Sequence, residues 1–452
     1  MSTERKLSLG QKIGYGVGDT GINFWFNAGV AFMLVFYTDG LGLSPVTAGS
    51  ILFVARAVDA ITDPLMGWIT DRTQTKMGKF RPFILAGAIP MAVMGVLTFT
   101  DPGLSPSQTL IYAYATYILY GITYTIISIP YSGLTAAVTH NPKERTELTA
   151  FRMVGAFTGS LAIQVGMAAI INAYDQSAQG YQMAMVLFGV VGVACLWTCV
   201  VSTRELPAPA HSRSDSLAQS WSAMKSNWPL WASMGAFLFS MLGTTIRGAV
   251  VIYYFTYVVG VPDLIPQFFG MIGIAMLAGI AITPMVAARI GKRRTYIVGA
   301  LISMVIGTGL FFVPPDNVTA IFAVAFFALF FAALPMVMGW ALLPDTVEYG
   351  EWHSGVRAEG TIYAATSFCH KLAMATGGGL AGLLLGSFGY VAKADIQPDS
   401  ALLGITLMLT LIPAAFSLLG VIAISFYRLD EDQFAEIEAE LATRRSAAAV
   451  TT

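Results

Sequence analysis

Apolar blocks long enough to cross a lipid bilayer recur from one end of this chain to the other. A helix needs about 20 mostly apolar residues to cross a hydrocarbon core of ~30 Å. The blocks fall at 11–37, 45–71, 82–100, 108–138, 146–172 and 181–203, then at 229–260, 266–289, 294–313, 319–343, 358–390 and 401–427. Most of them lack the polar stripe at helical period that a helix on a soluble surface would carry. Charge agrees with this: 11% of the 452 residues are charged and 56% are hydrophobic, whereas a soluble chain carries roughly 25% charged residues. The expected fold class is an all-α membrane protein with twelve transmembrane helices in two pseudo-symmetric six-helix bundles. The polar start, Met1 to Leu9, runs straight into the first block, so that block is expected to be a span and not a cleaved leader.

The basic residues alternate from loop to loop. One set of loops carries Arg72, Lys76, Lys79 and Arg81, then Lys143 and Arg145, Arg204 to Lys225, Arg289 to Arg294, and Arg357. The other set holds a single basic residue, Lys393. Loops that keep Lys and Arg stay in the cytoplasm, which places both termini there and makes the span count even. The expected organisation is an N-terminal bundle (1–203), a cytoplasmic linker (204–228), a C-terminal bundle (229–427) and a cytoplasmic tail (428–452). The tail alternates acids with Phe434, Ile437 and Leu441 and reads as a short amphipathic helix. The halves echo each other: VFYTDGLGL ends the first span and YYFTYVVGV the seventh, and a basic turn follows both the second span and the eighth. Paired repeats of this kind suggest a solute site near the midplane.

Ionisable groups inside spans are costly and are site candidates by default. Here they are Asp19, Arg56, Asp59, Asp63, Arg152, Arg247 and Lys371. Arg56, Asp59 and Asp63 stand at i, i+3 and i+7 and share one helix face. Two carboxylates four residues apart repel unless one is protonated or a cation sits with them. Oxygen ligands suit a hard cation such as Na⁺, and protonation would equally make the pair an H⁺ site. A structural salt bridge with Arg56 and Lys371 is the other reading. Asn23 lies one turn beyond Asp19 on the same side. Thr125 and Ser128 precede Pro130 in the fourth span, where a kink frees backbone carbonyls that serve as ligands only if they line a cavity. His370, beside Lys371, reads as a packed side chain before it reads as a pH switch. GYGVGDTG fails the dinucleotide pattern, and no phosphate loop, metalloprotease or hydrolase motif is present. An enzyme and an ATP-driven pump are therefore not expected, nor are a cofactor or a nucleic-acid partner. Cys195, Cys199 and Cys369 lie in apolar segments and read as small hydrophobes.

GYGVGDTGIN, VARAVDAITDPLMGW, KMGKFRPF, GITYTIISIPYSGL, ERTELTAFR, IYYFTYVVG and LLPDTVEYGE resemble, in order and over nearly the whole chain, the glycoside–pentoside–hexuronide:cation symporters. Within that family the chain looks like a relative of the melibiose permeases. The GWxxDR…GKFRP loop is also similar to the loop after the second helix of the major facilitator superfamily. The resemblance implies a sugar-like solute and a coupling cation (Na⁺, Li⁺ or H⁺). It makes Asp59, Asp63 and Thr125 the cation ligands. It assigns Asp19, Tyr124 and Arg152 to the neighbourhood of the solute and Lys371 to that of the cation, with Asn23, Ser128, Arg247 and Lys371 as further solute candidates. By the same resemblance Asp71, Arg72, Lys79 and Arg81 form a cytoplasmic latch, for which a plain positive-inside anchor is the alternative. Lys143, Arg145, Asp345, Glu348, Glu351, Arg357 and Glu359 would belong to ionic locks between the halves.

The chain departs from the melibiose pattern at Ser128 (there Asp), Ser132 (there Trp), Thr62 (there Asn) and Arg247 (there neutral). The buried set holds four bases against three acids and sums formally to +1. An anionic solute such as a uronide, with Arg247 or Arg152 facing its carboxylate, would compensate the excess. Pairing of Arg247 with an acid such as Asp19 is the alternative. An exporter of drugs or lipids and a sugar sensor that does not transport are the competing function classes. The expected surroundings are the solute and the bilayer of the cell inner membrane, with a monomer as the expected state.

Overall fold

The computed structural model describes residues 7–139, 141–206, 221, 224–356, 359–394, 396–429 and 431–450. Among the described residues every regular element is helical. The helices are α1 (Leu9–Ala31), α2 (Pro45–Arg72), α3 (Arg81–Thr98), α4 (Pro106–Val138), α5 (Pro142–Ala173), α6 (Ala178–Ser202), α7 (Trp228–Tyr253), α8 (Ile265–Ile290), α9 (Lys292–Gly309) and α10 (Val318–Ala341). A twelve-residue helix α11 (Leu343–Ser354) follows, then α12 (Glu359–Ser387), α13 (Asp399–Leu409), α14 (Leu411–Ser425) and α15 (Glu431–Val450). Eleven of the described helical stretches are long and apolar enough to cross a membrane, and twelve when the bent pair Leu9–Ala31 and Met33–Gly40 counts as one span. The expected all-α, multi-pass class holds. The ends of the expected spans lie within a few residues of the helix ends.

The first span departs from a straight rod. It bends by 50° at Phe32 and finishes as a π-helical turn, Phe36–Gly40. The seventh span finishes the same way, at Tyr254–Val258. The repeat seen in sequence at these two ends is thus a repeat of local backbone. The twelfth span is broken at Thr410 between α13 and α14. The tail helix α15 is longer than expected. Its Ile437 and Leu441 are buried, with Phe434 packed beside them, against Tyr296, Met338 and Tyr427.

By contact the chain divides into two compact units, 1–210 with 251–270 and 378–404, and 211–250 with 271–377 and 405–452. In the first unit α1 runs between α5 and α6. The glycines of GYGVGDTG explain how close it runs. A Cβ at Gly16 would lie 2.5 Å from the Phe151 carbonyl oxygen, and one at Gly18 or Gly21 would strike the side chain of Cys199 or Cys195. Small residues are what permit this approach between membrane helices. The same device works at Gly382 of α12, where a Cβ would meet the backbone of Pro45 and Gly49.

Candidate functional site

The expected cation residues come together on α2 and α4. Arg56 Nη1 donates a 3.0 Å hydrogen bond to Asp59 Oδ2. Thr125 Oγ1 donates a 2.8 Å bond to Asp63 Oδ1. Asp59 is 5% exposed, and its other oxygen, Oδ1, is buried with no hydrogen-bond partner among the described residues. A buried polar atom left in this way normally costs ~1–3 kcal/mol or more, so its retention asks for a ligand. Beside it lies a cavity of about 10 Å³ lined by Phe26, Arg56, Asp59, Tyr117, Tyr120 and Tyr124. That volume matches roughly one water or one bare cation. Gly121 helps to form it, since a Cβ there would stand 2.6 Å from Asp59 Oδ1. Of the two alternatives left open by sequence, the Arg56 salt bridge accounts for one Asp59 oxygen and leaves the other. Thr62, between the acids, donates a 3.4 Å bond to the Asp59 carbonyl.

A second group forms between α1, α4 and α5. Arg152 Nε donates to Asp19 Oδ2 at 3.2 Å, its Nη2 reaches Ser132 Oγ at 3.4 Å, and its guanidinium lies over the Tyr131 ring at 5.4 Å. Asp19 is 5% exposed. Asn23 Nδ2 donates to the Asp19 carbonyl. Asn23 Oδ1 accepts from Asn27 and Ser160, and Gln164 extends the amide chain to Asn27. Tyr124 bridges toward the cation group: its ring sits 6.0 Å from that of Phe26, and both line the Asp59 cavity. Ser128 stands half-buried on α4, one turn beyond Thr125. Asp19 is therefore met by Arg152, which takes the pairing that sequence had held open for Arg247.

Arg247 lies in the second unit, on α7, in a cavity of about 120 Å³. Lys371 is half-buried on α12, the eleventh span, and neighbouring His370 packs edge-on to Phe237 with ring centres 5.6 Å apart.

The basic loop after α2 is built around a residue that sequence left in the linker. Glu205 accepts from the backbone amides of Lys79, Phe80 and Arg81 at 2.6, 2.9 and 2.9 Å. It thus caps the N-terminus of α3 with a carboxylate. Arg81 donates to the Val200 carbonyl at 2.7 Å, and Arg72 lies over the Trp68 ring at 4.1 Å. Of the other lock candidates, Arg145 donates to the Thr139 carbonyl at 2.9 Å. Asp345 receives two 2.7 Å bonds from Lys292. Glu348 and Glu351 share α11 with Asp345. Arg357 lies outside the described residues, as do the side chains of Asp71, Lys143 and Glu359.

Sequence also missed Asp39, in the π-turn that ends the first span. It accepts from Tyr257 and Tyr390, while Thr38 meets Tyr253 at 2.7 Å. An acid in a loop otherwise short of charge was the one signal available.

A family model described as "MFS/sugar transport protein" matches residues 14–431. The chain belongs to that family. It is 36% identical over 450 residues to "Uncharacterized symporter YnaJ" of Bacillus subtilis (strain 168), covering 97% of this chain and 96% of that one. It is 32% identical over 449 residues to "Glucuronide carrier protein homolog" of Escherichia coli (strain K12), covering 98% and 97%. Among solved structures, a bacterial homolog of the human lysosomal transporter Spinster, inward-facing and unoccupied, superposes with a TM-score of 0.70 at 14% identity over 95% of this chain and 97% of that one. That likeness speaks to the fold alone. The chain is a sugar-transport-type member of the major facilitator superfamily and not an enzyme.

Proposed function

We propose that this transporter carries a sugar-like solute together with a cation by alternating access, taking it up across the cell inner membrane with both termini in the cytoplasm. One observation carries the coupling: Asp59 Oδ1 is buried, has no partner among the described residues and faces a cavity of one-cation size. On this reading Asp59 and Asp63 bind the cation (Na⁺, Li⁺ or H⁺), and Thr125 orients Asp63 through its hydroxyl. A cation at Asp59 would share that carboxylate with Arg56 and cancel the local negative charge.

The solute would meet Asp19 and Arg152. Sugar hydroxyls are donors and acceptors together, so they can replace both ends of that ion pair: donors to the carboxylate, acceptors for the guanidinium. Asn23, Ser128 and Tyr124 supply further polar contacts from the same face, and Lys371 is the candidate from the eleventh span. A narrower version takes an anionic sugar, supported by the formal excess of one positive charge and by the name of the glucuronide relative.

The test is solute-induced Na⁺ and H⁺ uptake in proteoliposomes, with neutral glycosides, pentosides and uronides, in wild type and in Asp59→Cys and Asp63→Cys. Uptake tied to one cation and lost in both variants is expected. Unchanged transport in both would make these acids structural and return the chain to a facilitator or exporter.

A further inference from the structure

The guanidinium of Arg247 has no counter-charge among the described residues of its helical unit. Its Nε is buried and has no hydrogen-bond partner, and no acid pairs with it among the described residues. The surrounding helices could not supply one: α7, α8, α9, α10 and α14 contain no Asp or Glu anywhere along their length. The residue stands eleven positions before the end of a 31-residue span, Trp228–Val258, which puts it about one helical turn from the middle. A bare charge at this depth costs several kcal/mol, and no acid among the described residues offsets it.

The space in front of it has the chemistry of an anion site. The cavity measures about 120 Å³, and its polar wall consists of Ser240, Thr244, Arg247, Tyr296, Ser303 and Ser417. Hydroxyls and a guanidinium offer donors, and no carboxylate competes with them. Ser303 and Tyr296 already donate to backbone carbonyls, at 2.7 and 3.0 Å, while Thr244 and Ser417 hold no side-chain bond to the described residues. The rest of the wall is apolar, which strengthens any ion pair formed there. A cavity of ~150 Å³ holds a benzene-sized group, so this one admits a small anion with a water or two, and not a whole glycoside.

We infer that Arg247 and the hydroxyls around it form a binding site, within the second unit, for a small singly charged anion. The site uses none of the cation and solute residues of α1, α2, α4 and α5, and it stands whether or not the coupling reading does. A free ion such as chloride and a carboxylate borne by the solute are the two sources of the same chemistry. The size of the cavity favours the free ion.

Thermal unfolding of the purified protein tests this at fixed Na⁺ and ionic strength, exchanging gluconate, which is too large for the cavity, for chloride, nitrate or acetate. A saturable rise in the midpoint is expected in wild type, a weaker one in Arg247→Lys, and none in Arg247→Gln. Equal midpoints in gluconate and chloride for wild type would overturn the site, as would a saturable response that survives in Arg247→Gln. Stabilisation by a carboxylated glycoside alone, with no response to the small ions, would overturn the free ion and give the guanidinium to the solute. Labelled-glycoside exchange with and without Na⁺, run on the same samples, reads the coupling separately. Loss of coupling with the anion response intact would leave this site standing.

Discussion

The phenol of Tyr257 donates a 2.8 Å hydrogen bond to Oδ2 of Asp39. Tyr390 donates to the other oxygen of the same carboxylate. One acid at the end of the first span thereby ties down the ends of the seventh and eleventh, at the side whose loops hold Lys393 as their single basic residue. The Tyr253–Thr38 bond at 2.7 Å and the Asn172–Pro262 bond at 2.9 Å lie at the same end. A hydrogen bond to a charged group is worth ~1.5–3 kcal/mol, enough to shift a two-state equilibrium about tenfold or more. In a Thr38→Cys background, Asp39→Ala should therefore raise the rate of labelling by an impermeant maleimide at that cysteine by roughly tenfold. An unchanged rate would mean that these bonds do not hold this end shut.

The same cluster should be indifferent to moderately alkaline pH. Burial, and then the Asp39 carboxylate, raise the Tyr390 phenol above its ordinary value of 10. A raised phenol stays a neutral donor, so its contribution is complete below the unfolded value and is lost only as pH climbs past the higher folded one. The unfolding midpoint of Tyr390→Phe should trail wild type by a constant margin from about pH 8 to about pH 10. A margin that closes by the upper limit would show that the phenol ionises there.

Gly121→Ala adds one methyl group where the backbone of α4 meets Asp59. The new Cβ would lie 2.6 Å from Oδ1, so the carboxylate has to turn away from its cavity. Apparent cation affinity should fall by about tenfold or more, roughly 1.4 kcal/mol. Exchange of labelled solute in the absence of a gradient should persist. An unaltered cation dependence would place the cation somewhere other than Oδ1.

Thr125 separates a chemical role from a packing role. Its hydroxyl donates to Asp63 at 2.8 Å. Thr125→Val keeps the shape and removes the donor, and should weaken cation dependence about tenfold. Thr125→Ser should stay within a few-fold of wild type. Equal losses in the two variants would point to the methyl group and its packing.

Much of this molecule is legible in the chain because lipid punishes deviation: runs of apolar residues have to be helices, and any charge within them has to matter. Asp59 and Asp63 stood out for that reason. What stayed hidden depends on how each helix is rotated about its axis. Asp19 and Arg152 are 133 residues apart, and their pairing over that of Asp19 with Arg247 is settled by the rotation of α5 against α1. The importance of Gly121 is invisible among 45 glycines, since only the position of Asp59 opposite singles it out. The bend at Phe32 has no proline beside it, and Gly29, three residues earlier, is one small residue among many in that span. Glu205 was hidden for another reason: an acid in a polar, proline-containing stretch reads as linker until its three amide partners are seen.

Glu205 yields the last prediction. The three amides it caps open the loop GKFRP at the start of α3, and a Cβ at Gly78 would collide with its carboxylate. Glycine also supplies the positive φ of 108° that the turn requires there. Removal of the cap leaves up to three N–H groups to find water, at ~0.5–2 kcal/mol for a capping residue and more where the acceptor carries charge. Glu205→Ala should lower the unfolding midpoint by several degrees. Glu205→Gln should recover part of the loss, because its amide oxygen still accepts while the charge opposite the helix dipole is gone. Solute affinity should hold in both variants, since the loop carries none of the residues around Asp19 or Asp59. A fall in affinity without a fall in midpoint would instead mark the loop as part of the transport cycle, with Glu205 as the fastening that the cycle undoes.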